Sequence, residues 1–308
     1  MLLPTPNAVA TGQTSTFNLD LGKRYHALWL ELGDTATIAG TTVAAVLANT
    51  VDQIRLKVNG KVQRTMLATE LHAINGLMGA TFAGKSTLAS LSGGLTAGSR
   101  ILLPIWLAEP WRNNNAEAAL TAWNAAGIDS LQLEVDLHSG LTAPILTGFY
   151  EYDAPTGGMG AIVKWIRQTF GASGTAQDFN SISKLDWLQS LHLWPIAESP
   201  TVTKVAYKVK FTANNVAIRD LLTRRENDAV LAGRNMNPTV FDTTSDATAR
   251  ATGVFNLVFD YDDPVNSALN ANGLNEMTLH VEFADNAGAA ASASGSMVAI
   301  IQRTGAPE

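Results

Sequence analysis

The stretch Gly127–Leu137, GIDSLQLEVDL, decides how the chain is read. Leu131, Leu133, Val135 and Leu137 alternate with Gln132, Glu134 and Asp136. A period of two is the pattern of a β-strand with one buried face. The pattern returns in Gly273–Phe283, GLNEMTLHVEF. There Met277, Leu279, Val281 and Phe283 alternate with Thr278, His280 and Glu282. Each copy opens on a glycine, an apolar residue and a short polar pair.

Working outward, other elements recur in the same order. Phe17, Leu19 and Leu21, then Leu28, Leu30 and Leu32, form a first strand pair. Thr35–Thr50 is small and β-branched and reads as a weak strand or loop. VDQIRLKV (Val51–Val58) puts Ile54, Leu56 and Val58 on one face, and Asn59-Gly60 supplies the φ > 0 residues of a tight turn. Leu67–Met78 has helical spacing, Gly79–Gly98 is loop-like, Ile101–Leu107 is a strand, and Glu117–Trp123 is a helical turn. After His138–Gly160, with its Pro and Gly breakers, the order repeats. Ile162–Phe170 and Trp187–Leu193 are strands. VTKVAYKV (Val202–Val209) matches VDQIRLKV with Val205, Tyr207 and Val209 inward. A helical segment carries Ile218, Leu221, Leu222 and Val230. A polar loop (Asn235–Thr252) and a strand at Val254–Asp260 lead to the second copy of the opening motif. Pro110 and Pro264 hold matching places just past a strand. A flexible Ala287–Ser296 precedes a last strand, Met297–Gln302, expected to pair within the second half.

Val51 and Val202 are 151 positions apart, and Gly127 and Gly273 are 146. Periods of that size mean a duplicated domain, whereas solenoid repeats span about 20–50 residues. About eight strands per copy gives an all-β chain of two tandem eight-stranded jelly rolls with short helices in the connections. The boundaries are an N-terminal arm at 1–14, ordered only when something binds it, a first roll at 15–140, a connection at 141–160, and a second roll at 161–308 that includes the C-terminal strand.

Composition narrows the function. The chain has 308 residues, 46% apolar and 16% charged, a net charge of -6 and no cysteine. Two domains with sizeable cores fit this length. Without a basic footprint, direct nucleic-acid binding is not expected, and without cysteine there is neither disulfide nor thiolate metal site. The N-terminus lacks the basic region of a signal peptide, and no run reaches the roughly 18 apolar residues of a membrane helix. A soluble protein made in a reducing cytosol is the expectation.

Gly79-Ala80-Thr81-Phe82-Ala83-Gly84-Lys85-Ser86 matches the phosphate-cradling GxxxxGK[ST] pattern. That loop needs a buried parallel strand before it and a helix after it. Here a helical segment precedes it, so a flexible loop is the preferred reading and a P-loop NTPase the alternative. His26, His72, His138, His192 and His280 are isolated, with no HxH or HExxH pair, and read as satisfied polar histidines. Asp260, Asp262 and Asp263 could hold calcium or form a solvated strand end. Glu134 and Asp136 stand about 7 Å apart on one strand face, either as paired carboxylates or as solvated polar positions. Trp106, Trp111 and Trp123 could line a carbohydrate surface or serve packing. No GxSxG elbow exists. No catalytic, cofactor-binding or metal-binding residues are assigned, and no cofactor.

Three stretches carry a resemblance: RLKVNGKVQRTMLATELHAINGLMG (55–79), LPIWLAEPW (103–111) and AWNAAGIDSLQLEVDL (122–137). They resemble the N-terminal jelly roll of major capsid proteins from tailless, membrane-containing icosahedral bacteriophages. That is the double jelly-roll lineage of corticovirus and tectivirus coats, similar in architecture to the adenovirus hexon. TVTKVAYKVKF (201–211) extends the resemblance into the second half. The resemblance implies a structural coat protein with no catalytic motif. It also implies a homotrimer whose six rolls form a near-hexagonal tile, strands along the capsid radius, and neighbouring trimers and minor vertex proteins as partners. The N-terminal arm would face inward, toward a membrane or a neighbouring tile. The competing expectations are the NTPase and a carbohydrate-binding or carbohydrate-active double jelly roll.

Overall fold

In the computed structural model, Leu131–Leu137 is a strand whose four apolar side chains are buried while Gln132, Glu134 and Asp136 stay partly exposed. Each buried leucine or valine contributes about 1.5–3 kcal/mol by leaving water. The structure describes residues 1–79, 94–112, 115–155, 157–199, 202–238, 254–259, 268–285 and 289–308. The chain divides into unit 1, Met1–Ile166 with Gly305–Glu308, and unit 2, Arg167–Thr304.

Unit 1 runs β1 (Thr14–Asn18), β2 (Arg24–Asp34), α1 (Val43–Ala48), β3 (Val51–Val58), β4 (Lys61–Met66), α2 (Ala68–Leu77), β5 (Arg100–Trp106), α3 (Asn115–Ala118), β6 (Trp123–Asn124), β7 (Leu131–Leu137) and β8 (Pro144–Asp153). One sheet has the order β1-β7-β3-β4. The other has β2 between β5 and β8, with β6 also on β2. The first five residues of β9 (Ile162–Gly174) also belong to unit 1.

Unit 2 continues with β10 (Ala176–Phe179), β11 (Trp187–Leu193), β12 (Ile196–Ser199), β13 (Val202–Ala213), β14 (Val216–Thr223), α4 (Arg224–Ala232), β15 (Phe255–Val258), β16 (Leu269–Asn270), β17 (Met277–Ala284) and β18 (Ala293–Gly305). One sheet has the order β10-β17-β13, with β12 and β14 both on β13. The other runs β9-β18-β11-β15, with β16 on β11. Apart from β9 and β12, this repeats the pairing of unit 1. Phe170, Phe179, Leu188, Val209, Phe211, Leu279, Phe283 and Ile301 belong to the core of unit 2.

The duplication is sharpest at one turn. Asn59 and Gly60 take φ of 50° and 78°, and Asn214 and Asn215 take 48° and 63°. Only asparagine and glycine enter this left-handed region cheaply. The Asn59 side-chain oxygen accepts from Asp129 N (2.8 Å) and Ser130 N (3.1 Å). The Asn214 oxygen accepts from Asn275 N (2.8 Å) and Glu276 N (3.1 Å). In both units the turn after the third strand of its sheet thereby fixes the entry to the central strand, β7 or β17.

Several expectations are corrected. The residues at 1–14 are not a free arm. Leu2 bridges Phe149, Leu3 N donates to Gly148 O (2.9 Å), and Tyr150 N donates to Met1 O (2.8 Å), so the first residues are held by an isolated β-bridge along β8. Asn7 N then donates to Thr16 O, and Leu137 N to Gln13 O. The span 141–160 contains β8, paired with β2 along its whole length. The last residues, 305–308, fall in unit 1, where Glu308 meets Lys164 at 3.5 Å. Thr35–Thr50 contains α1, because Val43, Val46 and Leu47 recur at helical spacing and Thr42 caps the first turn. Ile218, Leu221 and Leu222 lie on β14 and not on a helix. The helix begins only at Arg224, where Thr223 and Glu226 form a capping box. Tyr207 is only half-buried, because a bulge between Ala206 and Lys208 shifts the register of β13 against β17. The tail is strand from Ala293 onward, longer than Met297–Gln302. Asp260, Asp262, Asp263 and Pro264 lie outside the described residues, as does most of Asn235–Thr252.

Candidate assembly surface

Gly79 is the one residue of the GxxxxGK[ST] match within the described residues; Ala80–Ser86 lie outside them. Its amide donates to Gly76 O at the end of α2, and the strand before α2 is β4, antiparallel to β3. A phosphate loop needs a strand leading directly into it, and here helix α2 does, so the NTPase reading fails on its context.

The histidines are all in the described part, and no group of three or more metal-ligating side chains forms among the described residues. His138 Nδ1 meets Asp52 at 2.7 Å, His280 Nδ1 meets Asp178 at 2.6 Å, and His26 Nε2 meets Asp153 at 3.1 Å. His192 is fully buried between Ser190 Oγ and Asn256 Oδ1, each at 2.8 Å, and burial pushes its pKa down. Burial likewise lowers His72. Of the tryptophans, Trp123 is fully buried under the Arg64 guanidinium, and Trp106 packs edge-on against Trp29 at 5.3 Å. They serve packing, not a sugar platform.

Glu134 and Asp136 lie on the outer face of the β1-β7-β3-β4 sheet, outside the barrel interior. Arg55 Nε donates to Glu134 (2.9 Å), Arg55 Nη1 and Nη2 donate to Asp136 (2.7 and 2.8 Å), and Lys57 Nζ donates to Glu134 (2.5 Å). Thr14 Oγ1 donates to Asp136 at 2.6 Å. The side chains keep 13% and 26% of their exposure. Burial pushes both carboxyls up, but the bonds from Lys57 and Arg55 to Glu134, and from Arg55 and Thr14 to Asp136, outweigh it and hold both below their ordinary range. Carboxylates depressed in this way stabilise the fold above their unfolded values of 4.5 and 3.8, and the contribution is lost as pH falls through the lower folded values. The thermal midpoint therefore falls as pH drops below about 4.5. Arg55→Met flattens that acid limb, and an unchanged limb in a melting series from pH 7 to 2.5 would refute the assignment.

The same face of unit 2 is built differently. Lys208 pairs with Glu282 at 3.3 Å and Lys210 approaches Asp220 at 3.7 Å. His280, Asp178, Lys210 and Asp220 border an open groove of about 490 Å³. The two outer faces thus share a backbone plan and differ in charge pattern.

Arg64, on β4, was not singled out in the sequence. It is 1% exposed, and its Nε and Nη1 donate to Val163 O (2.6 Å) and Trp106 O (2.5 Å). Its guanidinium lies 5.2 Å from the Trp123 ring and 5.5 Å from that of Trp165. Burial pulls its pKa down to about 9, so it remains charged at neutral pH. The signal that could have found it is N-x4-R, which occurs as NGKVQR at 59–64 and again as NNVAIR at 214–219.

Residues 1–153 match the family model described as viral coat protein P2 N-terminal domain. Among curated proteins, no sequence matches the chain. The fold is similar to that of the major capsid protein P2 from bacteriophage PM2, with a TM-score of 0.73 at 13% identity over 99% of this chain and 96% of that one. A chain in the atomic structure of Sulfolobus turreted icosahedral virus gives 0.64 at 12% identity, over 99% and 89%. A chain of the PBCV-1 virus capsid gives 0.63 at 9% identity, over 99% and 92%. Residues 1–153 thus carry the N-terminal domain of the viral coat protein P2 family, and with its double jelly-roll fold the chain is a structural capsid protein and not an enzyme.

Proposed function

We propose that the chain builds its icosahedral shell as a homotrimer, three chains supplying six rolls to a pseudo-hexagonal tile. The observation that carries this is the duplicated turn, with Asn59 and Asn214 each holding two consecutive amides of the next central strand. Two rolls of one plan in each chain let a threefold assembly approximate sixfold packing. The charge patterns on their outer faces differ, as suits surfaces with different neighbours.

The proposal places an internal membrane beneath the shell, minor proteins at the vertices, and synthesis in the host cytoplasm. The net charge of -6 leaves nucleic acid without a basic surface to bind. With residues 1–3 bound to β8, the exposed large apolar side chains that the N-terminal segment offers a membrane are Met1, Leu2 and Val9, while Leu3 is buried. Light scattering on the purified protein tests the trimer. A stable species near 98 kDa, three chains of 32.7 kDa, is expected, and a strict monomer across micromolar concentrations would rule it out.

A further inference from the structure

The duplicated turn brings with it a duplicated arginine. Arg64 follows Asn59 by five positions, and Arg219 follows Asn214 by five. Arg64 is paired across its hairpin with Leu56 and Arg219 with Phe211, each three residues before its asparagine. Leu56 and Phe211 are core residues, so both arginines stand on the inward side of the strand that follows the duplicated turn. Both reach the last residue of a strand in the facing sheet: Arg64 donates to Trp106 O at 2.5 Å, and Arg219 to Val258 O at 3.1 Å. Both lie against a ring, Trp123 at 5.2 Å and Phe259 at 5.6 Å.

The two strands differ in what covers them. Within unit 1, β4 is flanked by Ile162–Ile166. Trp165 forms a parallel bridge with Arg64, Val163 O accepts from Arg64 Nε, and the Trp165 ring lies beside the guanidinium. Among the described residues β14 pairs only with β13, and Arg219 is half-buried. Its neighbours Val216 and Leu221 are 62% and 37% exposed. An eight-residue edge strand with apolar side chains in water is a ready template for another chain.

We propose that the outer edge of β14 is an interface with a second copy of this chain, in which a strand of the neighbour lies along Val216–Thr223 and covers Arg219 as Ile162–Ile166 covers Arg64. This rests on the homotrimer reading. The argument for a second copy is internal: the chain already contains the matching edge in its covered form, and the cover there is a segment of the same sequence. Such a contact is heterologous, since the strand offered and the edge that receives it are different surfaces. Repeated three times it closes a ring.

The double variant Val216→Glu/Leu221→Glu tests the surface, with molar mass from light scattering and thermal melting as a check on folding. A folded monomer is the expected result, from a wild type that is trimeric. A folded variant that stays trimeric with the wild-type dissociation midpoint overturns this interface and leaves the trimer reading standing. A monomeric wild type removes the trimer and this interface together. Hydrogen exchange on the wild-type protein, at concentrations above and below trimer dissociation, gives an answer that does not depend on the variant folding. Amides of Val216–Thr223 are expected to exchange about tenfold or more slowly in the trimer. Equal exchange at the two concentrations overturns the proposal.

Discussion

Arg64→Ala lowers the unfolding free energy by about 3–5 kcal/mol, the range for breaking a buried charged network. Arg64 donates to the carbonyls of Val163 and Trp106, and its guanidinium fills the space beside Trp123 and Trp165. Alanine leaves both carbonyls without this donor and opens a cavity beside two indole rings. Arg64→Met restores much of the volume and none of the bonds, so it recovers part of the loss. The urea midpoint followed by tryptophan fluorescence reads both effects. A midpoint for Arg64→Ala within error of wild type would show that this node holds nothing together. Arg219→Ala is the internal comparison. Its side chain occupies the equivalent position half-buried, so in the isolated chain its loss is the smaller of the two.

Gly148→Val is expected to cost about 3 kcal/mol or more, at the upper end of overpacking. Gly148 lies on β8 opposite Leu30, and its carbonyl receives the amide of Leu3. A Cβ built there would strike the backbone carbonyl of Trp29 and the end of the Leu3 side chain. Leu3 can swing away, but the Trp29 carbonyl belongs to β2, which β5 and β8 hold from both sides. The substitution therefore both strains the centre of that sheet and dislodges the bridge formed by residues 1–3. The urea midpoint should drop, and proteolysis should begin near the N-terminus well before global unfolding. Wild-type stability together with wild-type resistance of the first residues would contradict this account.

Much of the fold was legible because the central strands keep strict alternation. Leu131–Leu137 and Met277–Ala284 both follow the inward and outward faces read from their sequences. Asn59-Gly60 announced its turn through residue types that tolerate positive φ. The misreadings have separate causes. β13 has 12 residues where β3 has 8, and it carries a bulge at Ala206–Lys208, so matching the turns pairs Asn59 with Asn214, 155 positions apart, and not Val51 with Val202. β14 is an edge strand with both faces partly exposed, so it shows no clean period of two, and the spacing of Ile218, Leu221 and Leu222 mimicked a helix. The bridge at residues 1–3 is too short to show any period and is followed by Pro4 and Pro6. The assembly surface was the least legible part. Arg64 and Arg219 form one repeated feature, but what separates them is burial by a segment about 100 positions further on, which no local pattern records.

Asn59 and Asn214 also act against misfolding. A strand with a period of two has a near-degenerate competitor, the same strand slid by one residue with its faces exchanged. For β7 that slip would turn Gln132, Glu134 and Asp136 into the core. Burying the ionised carboxylates of Glu134 and Asp136 away from Arg55 and Lys57 would be prohibitive. The asparagine oxygen adds a second check at the strand's entrance, since it accepts two consecutive amides and a slipped chain can keep at most one of them in place. The β3–β4 hairpin closes over two residues, so its receiver is in place before a strand some 70 positions later arrives. Each roll therefore carries a proofreading contact for its own most error-prone strand, and the duplication copied the check along with the barrel.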